Sequence, residues 1–173
     1  MMLFVLFFII CLISYYLHTL WHYQTYKGID FMQRGKLFTI YSHFVVFIGY
    51  FAFGFMIFYD PLKINISSFL RIAGIITGIS GMAIGAVATF QKRGYTDTDQ
   101  LITSGIYSKL RHPMYFGIIL IHIGLPLFFE SMITLLSAII WIPMIMLWKH
   151  WEEKHLVKKF GESYYIYKRR TWF

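Results

Sequence analysis

The chain has 173 residues, 58% of them hydrophobic and 21% aromatic, and only 14% are charged, against roughly 25% in an ordinary soluble domain. Its formal net charge is +8, but the basic residues flank apolar stretches, which argues against nucleic acid as a partner and for anionic lipid head groups. The single cysteine, Cys11, excludes an internal disulfide and any cysteine-based zinc site.

Five stretches approach the roughly 20 apolar residues that a bilayer core requires. The predicted fold is therefore all-α, a single integral membrane domain over residues 1–173 with five transmembrane helices and a cytoplasmic C-terminal helical tail. The first span covers about 2–20. No Lys or Arg precedes it and no small-residue cleavage site follows, so it is expected to stay as a span rather than act as a signal peptide. The second, about 37–59, ends at Asp60-Pro61. The third covers about 67–90, the fourth about 113–129 and the fifth about 132–148. Only Glu130 and Ser131 separate the last two, which predicts a tight antiparallel hairpin. Pro126 and Pro143 lie inside them and each removes a backbone donor.

Fourteen of the sixteen basic residues fall on one side of these spans. Lys27, Arg34 and Lys36 are in the first loop, and Lys92, Arg93, Lys109 and Arg111 are in the third. The tail holds Lys149, Lys154, Lys158, Lys159, Lys168, Arg169 and Arg170. Only Lys63 and Arg71 are on the other side. The N-terminus is thus expected outside and the C-terminus in the cytoplasm. In the third span Gly74, Gly78, Gly81 and Gly85 share one helical face. Such a face suits either a dimer seam or close packing within the bundle, so the oligomeric state stays open.

The third loop, Gln91 to His112, is longer than a plain connector. Thr96-Asp97-Thr98-Asp99 offers turn and cap oxygens, and Ser104-Gly105 marks a further turn. His112 precedes Pro113 and is biased away from helical angles, while Pro113 suits the first turn of the fourth helix. The amides of Met114 and Tyr115 then lie at a helix N-terminus, where a carboxylate or phosphate is favoured, with Arg111, His112 and Tyr115 as further donors. The hairpin returns the chain to the same face, so Glu152 and Glu153 are expected near His112. Two acids opposite an anion-binding terminus can hold a zwitterion by both ends. Tyr107, Tyr115, Trp148 and Trp151 offer aromatic faces to a ring or a cation. Each residue also has an ordinary reading. Arg111 and the aromatics are common interfacial anchors, and Glu153 is placed to pair with Lys149 one turn back, a contact of little energetic weight.

The ordered set Leu101-Ile102, Gly105-Ile106-Tyr107, Arg111-His112-Pro113-Met114-Tyr115-x-Gly117, Glu152-Glu153, Phe160-Gly161-Glu162 and Tyr164, Tyr165 and Tyr167 resembles the isoprenylcysteine carboxyl methyltransferase family. Phospholipid N-methyltransferases share its Arg-His-Pro and Glu-Glu parts. The resemblance covers about Asp99 to Arg170 and implies S-adenosylmethionine as cofactor, bound within about 91–170. By carry-over Leu101, Ile102, Tyr107, His112, Pro113, Met114, Tyr115 and Glu152 line the pocket, with Glu153 beside it. It further implies methyl transfer to a lipophilic, membrane-dissolved small molecule or lipidated substrate. The sequence departs from the pattern at one point. The isoprenylcysteine enzymes are expected to carry an arginine for the substrate carboxylate one turn before the Glu pair. Here that position is Trp148, and Arg169 or Arg170 are the candidate substitutes.

Two other classes compete. Membrane sterol and steroid reductases carry a similar Arg-His-Pro-x-Tyr stretch at an NADPH site, though their motif often continues with an acidic residue where this chain has Gly117-Ile118. A haem or metal protein is the other: His18 and His22 are spaced i, i+4, and His43 and His122 lie in spans. The alternative for His43 and His122 is interhelical hydrogen bonding, worth about 0.6 kcal/mol each.

Overall fold

The computed structural model describes residues 1–28, 36–93 and 100–173, without the side chains of 36–39 and 93. The turn expected at Thr96-Asp97-Thr98-Asp99, and Arg34, lie outside the described residues. Among the described residues seven α-helices follow in order: α1 (Met2–Tyr26), α2 (Lys36–Phe58), α3 (Ser68–Arg93), α4 (Pro113–Phe128), α5 (Met132–Leu136), α6 (Ala138–Phe160) and α7 (Glu162–Arg170). A short 3-10 turn at Gly105–Ser108 precedes α4.

Among the described residues four helical stretches are long and apolar enough to cross a membrane: Met2–Tyr26, Ile40–Phe58, Ser68–Lys92 and Met132–Phe160. The last is α5 and α6 read together. The fourth expected span, α4, is apolar but has only 16 residues, about 24 Å at the helical rise, against a hydrocarbon core of about 30 Å. The outward faces are hydrophobic, with Phe44, Phe69, Ile76 and Ile139 well exposed, as suits side chains facing lipid.

Two helices outrun the expected boundaries. α1 continues past Leu20 because Trp21 to Tyr26 contain no breaker, and it stops where Gly28 adopts φ +86°. α6 continues past Trp148 to Phe160, since Lys, Glu and Leu all favour a helix; Gly161, at φ +54°, then ends it. Glu152 and Glu153 therefore stand on a rigid charged extension of the last apolar helix.

α3 and α4 pack antiparallel through the glycine face. A Cβ on Gly81 would lie 2.6 Å from the Gly117 carbonyl oxygen, and one on Gly74 would lie 2.7 Å from the Phe128 amide. α4 of the same chain thus occupies the face that also suited a dimer seam. α1 runs antiparallel to α2, with the Phe7 ring stacked 4.8 Å from Phe55 and Ser14 Oγ donating to the Val45 carbonyl at 2.7 Å. It lies parallel to α6, where Phe8 and Tyr15 meet Trp141.

Buried polar groups stitch these layers. The Tyr15 hydroxyl and His122 Nε2 are 2.8 Å apart, and His122 Nδ1 is 2.8 Å from the Ile118 carbonyl oxygen. A carbonyl only accepts, so the ring proton sits on Nδ1 and Nε2 accepts from the tyrosine. His122 is thus an interhelical hydrogen-bonding residue. At the opposite end from the charged tail, Asp60 Oδ2 accepts from the Thr134 amide and hydroxyl, both at 2.7 Å. Lys63 Nζ donates to the Ile57 carbonyl and to Ser131 Oγ. These bonds fix the turn between α4 and α5, where Glu130 takes φ +58°.

Candidate functional site

The charged end of the bundle gathers residues from four segments. The stretch before α4 runs beside the C-terminus: the Arg111 amide donates to the Trp172 carbonyl at 3.0 Å, and the Trp172 amide to the Lys109 carbonyl at 2.8 Å. Arg111 Nη1 donates to the carbonyls of Lys168 and Thr171, and its Nε to Glu153 Oε1 at 3.2 Å. Lys168 Nζ donates to Glu153 Oε2 at 2.7 Å, and the Tyr167 hydroxyl to the Tyr107 carbonyl at 2.7 Å. Glu153 is thus the centre of a clamp joining α6, α7 and the Arg-His-Pro stretch. Lys149 does not pair with it: its ammonium lies 4.2 Å from the Phe173 ring centroid, since the tail brings Arg111 and Lys168 closer to the carboxylate.

His112 is buried and stacks on Tyr115, ring centroids 5.5 Å apart. Its Nδ1 is 3.8 Å from Glu152 Oε2 and its Nε2 3.4 Å from Glu153 Oε1. The Tyr115 hydroxyl donates to Glu152 Oε2 at 2.5 Å. Pro113 occupies the first turn of α4 as its fixed φ favours, and no side chain caps that turn. Burial opposes ionisation of Glu152, yet Lys92, His112, His22 and the Tyr115 bond together hold its carboxyl below the ordinary range. Burial likewise opposes ionisation of Glu153, and His112 and Lys168 outweigh it. Burial, then the Glu152 charge, pushes the Tyr107 phenol up to about 12.

Of the residues named from sequence, His112, Tyr115, Glu152 and Glu153 form one contiguous cluster. Pro113 and Met114 open the helix beneath it. Tyr107 is half-buried, its hydroxyl donating weakly to the Ala88 carbonyl at 3.4 Å, and it feels the Glu152 charge. Leu101 and Ile102 are half-buried in the segment leading to the 3-10 turn. Trp148 is buried and donates from Nε1 to Thr19 Oγ1 at 2.7 Å. Arg169 is exposed and paired with Glu162 on α7 at 3.3 Å, and Arg170 is exposed; neither has a contact to the His112 cluster among the described residues. Gly117 packs against Gly81 and Gly85, so its place in the motif is explained by helix contact.

The family resemblance does not reach α1, yet α1 comes up against the cluster. His22 stacks on Trp148 at 5.7 Å and lies 6.1 Å from Tyr115; His18 meets Trp148 edge-on at 4.5 Å. The i, i+4 histidine pair was the available signal, but only the α1–α6 contact tells where it points. The two Nε2 atoms are 3.1 Å apart. Among the described residues no three His, Cys, Asp or Glu side chains gather as a metal-ligand set.

An apolar bundle with this histidine and carboxylate cluster at one end defines a membrane-embedded protein with a polar site at the bilayer face. A family model described as phospholipid methyltransferase matches residues 62–163, more than half of the chain. The chain belongs to that family of integral membrane methyltransferases, and it is a multi-pass membrane protein with methyl transfer as the general activity of its family. No curated protein and no solved structure matches it.

Proposed function

We propose that the protein transfers a methyl group from S-adenosylmethionine to a lipophilic acceptor dissolved in the membrane, with five spans, an outside N-terminus and a cytoplasmic site. The observation that carries this reading is the junction of His112, Tyr115 and Glu152 at the uncapped N-terminus of α4. The donor set suits the cofactor. Uncapped amides and the buried His112 ring suit its carboxylate, Glu152 suits its ammonium, and Trp148 and Tyr115 suit its sulfonium.

Glu152 and Glu153 take different parts. Both oxygens of Glu153 are occupied by Arg111 and Lys168, so it supports the site. Glu152 gives Oε2 to Tyr115, and its side chain keeps 32% exposure, so it is the carboxylate that meets the ligand. S-adenosylmethionine supplies an activated methyl when bound. The protein positions it and excludes water, which for an in-line displacement supplies much of the acceleration.

Calorimetric titration of the detergent-purified protein with S-adenosylhomocysteine, with NADPH as control, tests the reading. Saturable binding of the first alone is expected. His112→Ala and Glu152→Ala should each abolish it without unfolding the bundle; wild-type affinity in both variants would sink the assignment, and binding of NADPH alone would move the protein to the reductases.

A further inference from the structure

The side chain of Gln91, in the last turn of α3, reaches across to the 3-10 turn at Gly105–Ser108. Its Nε2 donates to the Ser104 carbonyl at 2.6 Å and to Ser104 Oγ at 3.3 Å, and its Oε1 accepts from the Ile106 amide at 3.1 Å. A carbonyl only accepts and a peptide amide only donates, so these partners admit one orientation of the side chain. The first amides of a helical turn find no acceptor inside it, and Ser104 offers no side-chain cap. Gln91 supplies that cap from 15 positions away. Gly105 lies beneath the side-chain amide at φ +56°, and a Cβ there would collide with it.

Tyr107 hangs from this turn. Its carbonyl accepts from the Tyr167 hydroxyl at 2.7 Å, its own hydroxyl reaches the Ala88 carbonyl on α3, and its phenol feels the Glu152 charge. Leu101 and Ile102 lie in the segment that leads into the turn. We propose that Gln91 is a positioning residue for the cofactor: its amide fixes the start of the 3-10 turn, so that Leu101, Ile102 and Tyr107 stand ready opposite Glu152. This rests on the methyltransferase reading above. Gln91 makes no contact with the ligand in this scheme and acts through the turn alone. Four residues of 3-10 helix form a weak element by themselves. Without Gln91 the turn keeps the Tyr167 bond at its middle and loses the hold at its start. Ligand binding must then order the segment, and that cost shows as weaker affinity.

The test uses the full chain in nanodiscs, with calorimetric titration of S-adenosylhomocysteine and hydrogen exchange of the amides at 104–108. Gln91→Ala should weaken binding about 10-fold, the worth of one to two hydrogen bonds, while the thermal midpoint stays close to that of the wild type. In the same variant the Ile106 amide should exchange faster without ligand and slow again when ligand is saturating, because the ligand then orders the turn. Gln91→Asn keeps the amide but holds it one methylene short, and it should behave as the alanine variant does. Wild-type affinity in both variants, or an Ile106 amide that exchanges at the wild-type rate, overturns the proposal.

Gly105→Ala separates positioning from a general loss of stability. Its Cβ would push the Gln91 amide off the turn, so it should weaken binding in the wild-type background. In Gln91→Ala that collision partner is gone, and the further loss should be smaller. Equal fold losses in the two backgrounds would mean that the two residues act independently, which overturns the role given to Gln91. The outcomes also separate the two readings. A wild-type protein that does not bind S-adenosylhomocysteine removes the cofactor assignment and this role with it, whereas wild-type binding that Gln91→Ala and Gln91→Asn leave unchanged removes this role alone.

Discussion

Glu153 and Glu152 are neighbours in sequence with separate tasks, because successive positions on a helix point about 100° apart. Glu153 looks toward α7 and the Arg111 stretch, and Glu152 toward α4. Glu153→Gln keeps the shape and removes the charge that holds Arg111 and Lys168. It should cost about 2 kcal/mol at neutral pH, the ordinary worth of a hydrogen bond to a charged group. The sign of its pH dependence follows from the lowered carboxyl. The contribution is fully present above the ordinary value of 4.5 and is lost as pH falls from there through the lower folded value. Thermal midpoints of wild type and Glu153→Gln should therefore differ at pH 7, and the gap should begin to narrow as pH drops below about 4.5. A gap as wide at pH 3 as at pH 7 would mean the clamp does not depend on charge.

The antiparallel pairing of α3 with α4 sets where His112 and Pro113 sit, since α4 has little length to anchor itself in the bilayer. Its closeness depends on positions that admit no side chain. Gly81→Leu would force the Gly117 backbone away and should destabilise the bundle by about 2 kcal/mol or more. Gly85→Ala should be nearly silent, because a Cβ there meets nothing within 4 Å. Thermal unfolding in one detergent, followed by size-exclusion chromatography, compares them. Equal loss in both would remove the close contact as the explanation. The four glycines were legible as one face, but sequence periodicity does not distinguish a partner in the same chain from one in another copy.

In the whole bundle, the ends of α1, α4 and α6 meet at one face, and the Asp60, Lys63 and Thr134 network closes the other. If the site is cytoplasmic, Ser163→Cys should react with an impermeant maleimide only from the cytoplasmic side and Asn65→Cys only from outside. Both positions are exposed, and the native Cys11 is buried, so it gives a low background. The reverse pattern would overturn the orientation. In vesicles of known sidedness this also tests α4: an odd number of crossings between Asn65 and the tail puts the two labels on opposite sides.

Local chemistry was enough for much of this protein. Apolar runs of bilayer length gave the helices, Gly28 and Gly161 ended two of them, and Pro113 began another. The Arg-His-Pro and Glu-Glu pairs marked the site because charge and imidazole are costly beside so much apolar surface. What a linear reading lacked were contacts between distant segments. Only the packing of α1 along α6 brings His18 and His22 against Trp148, and only the return of the C-terminus beside Arg111 engages Glu153 and leaves Glu152 partly free. Helix formation depends on neighbours a turn apart, whereas which buried polar atoms find partners depends on how whole helices pack.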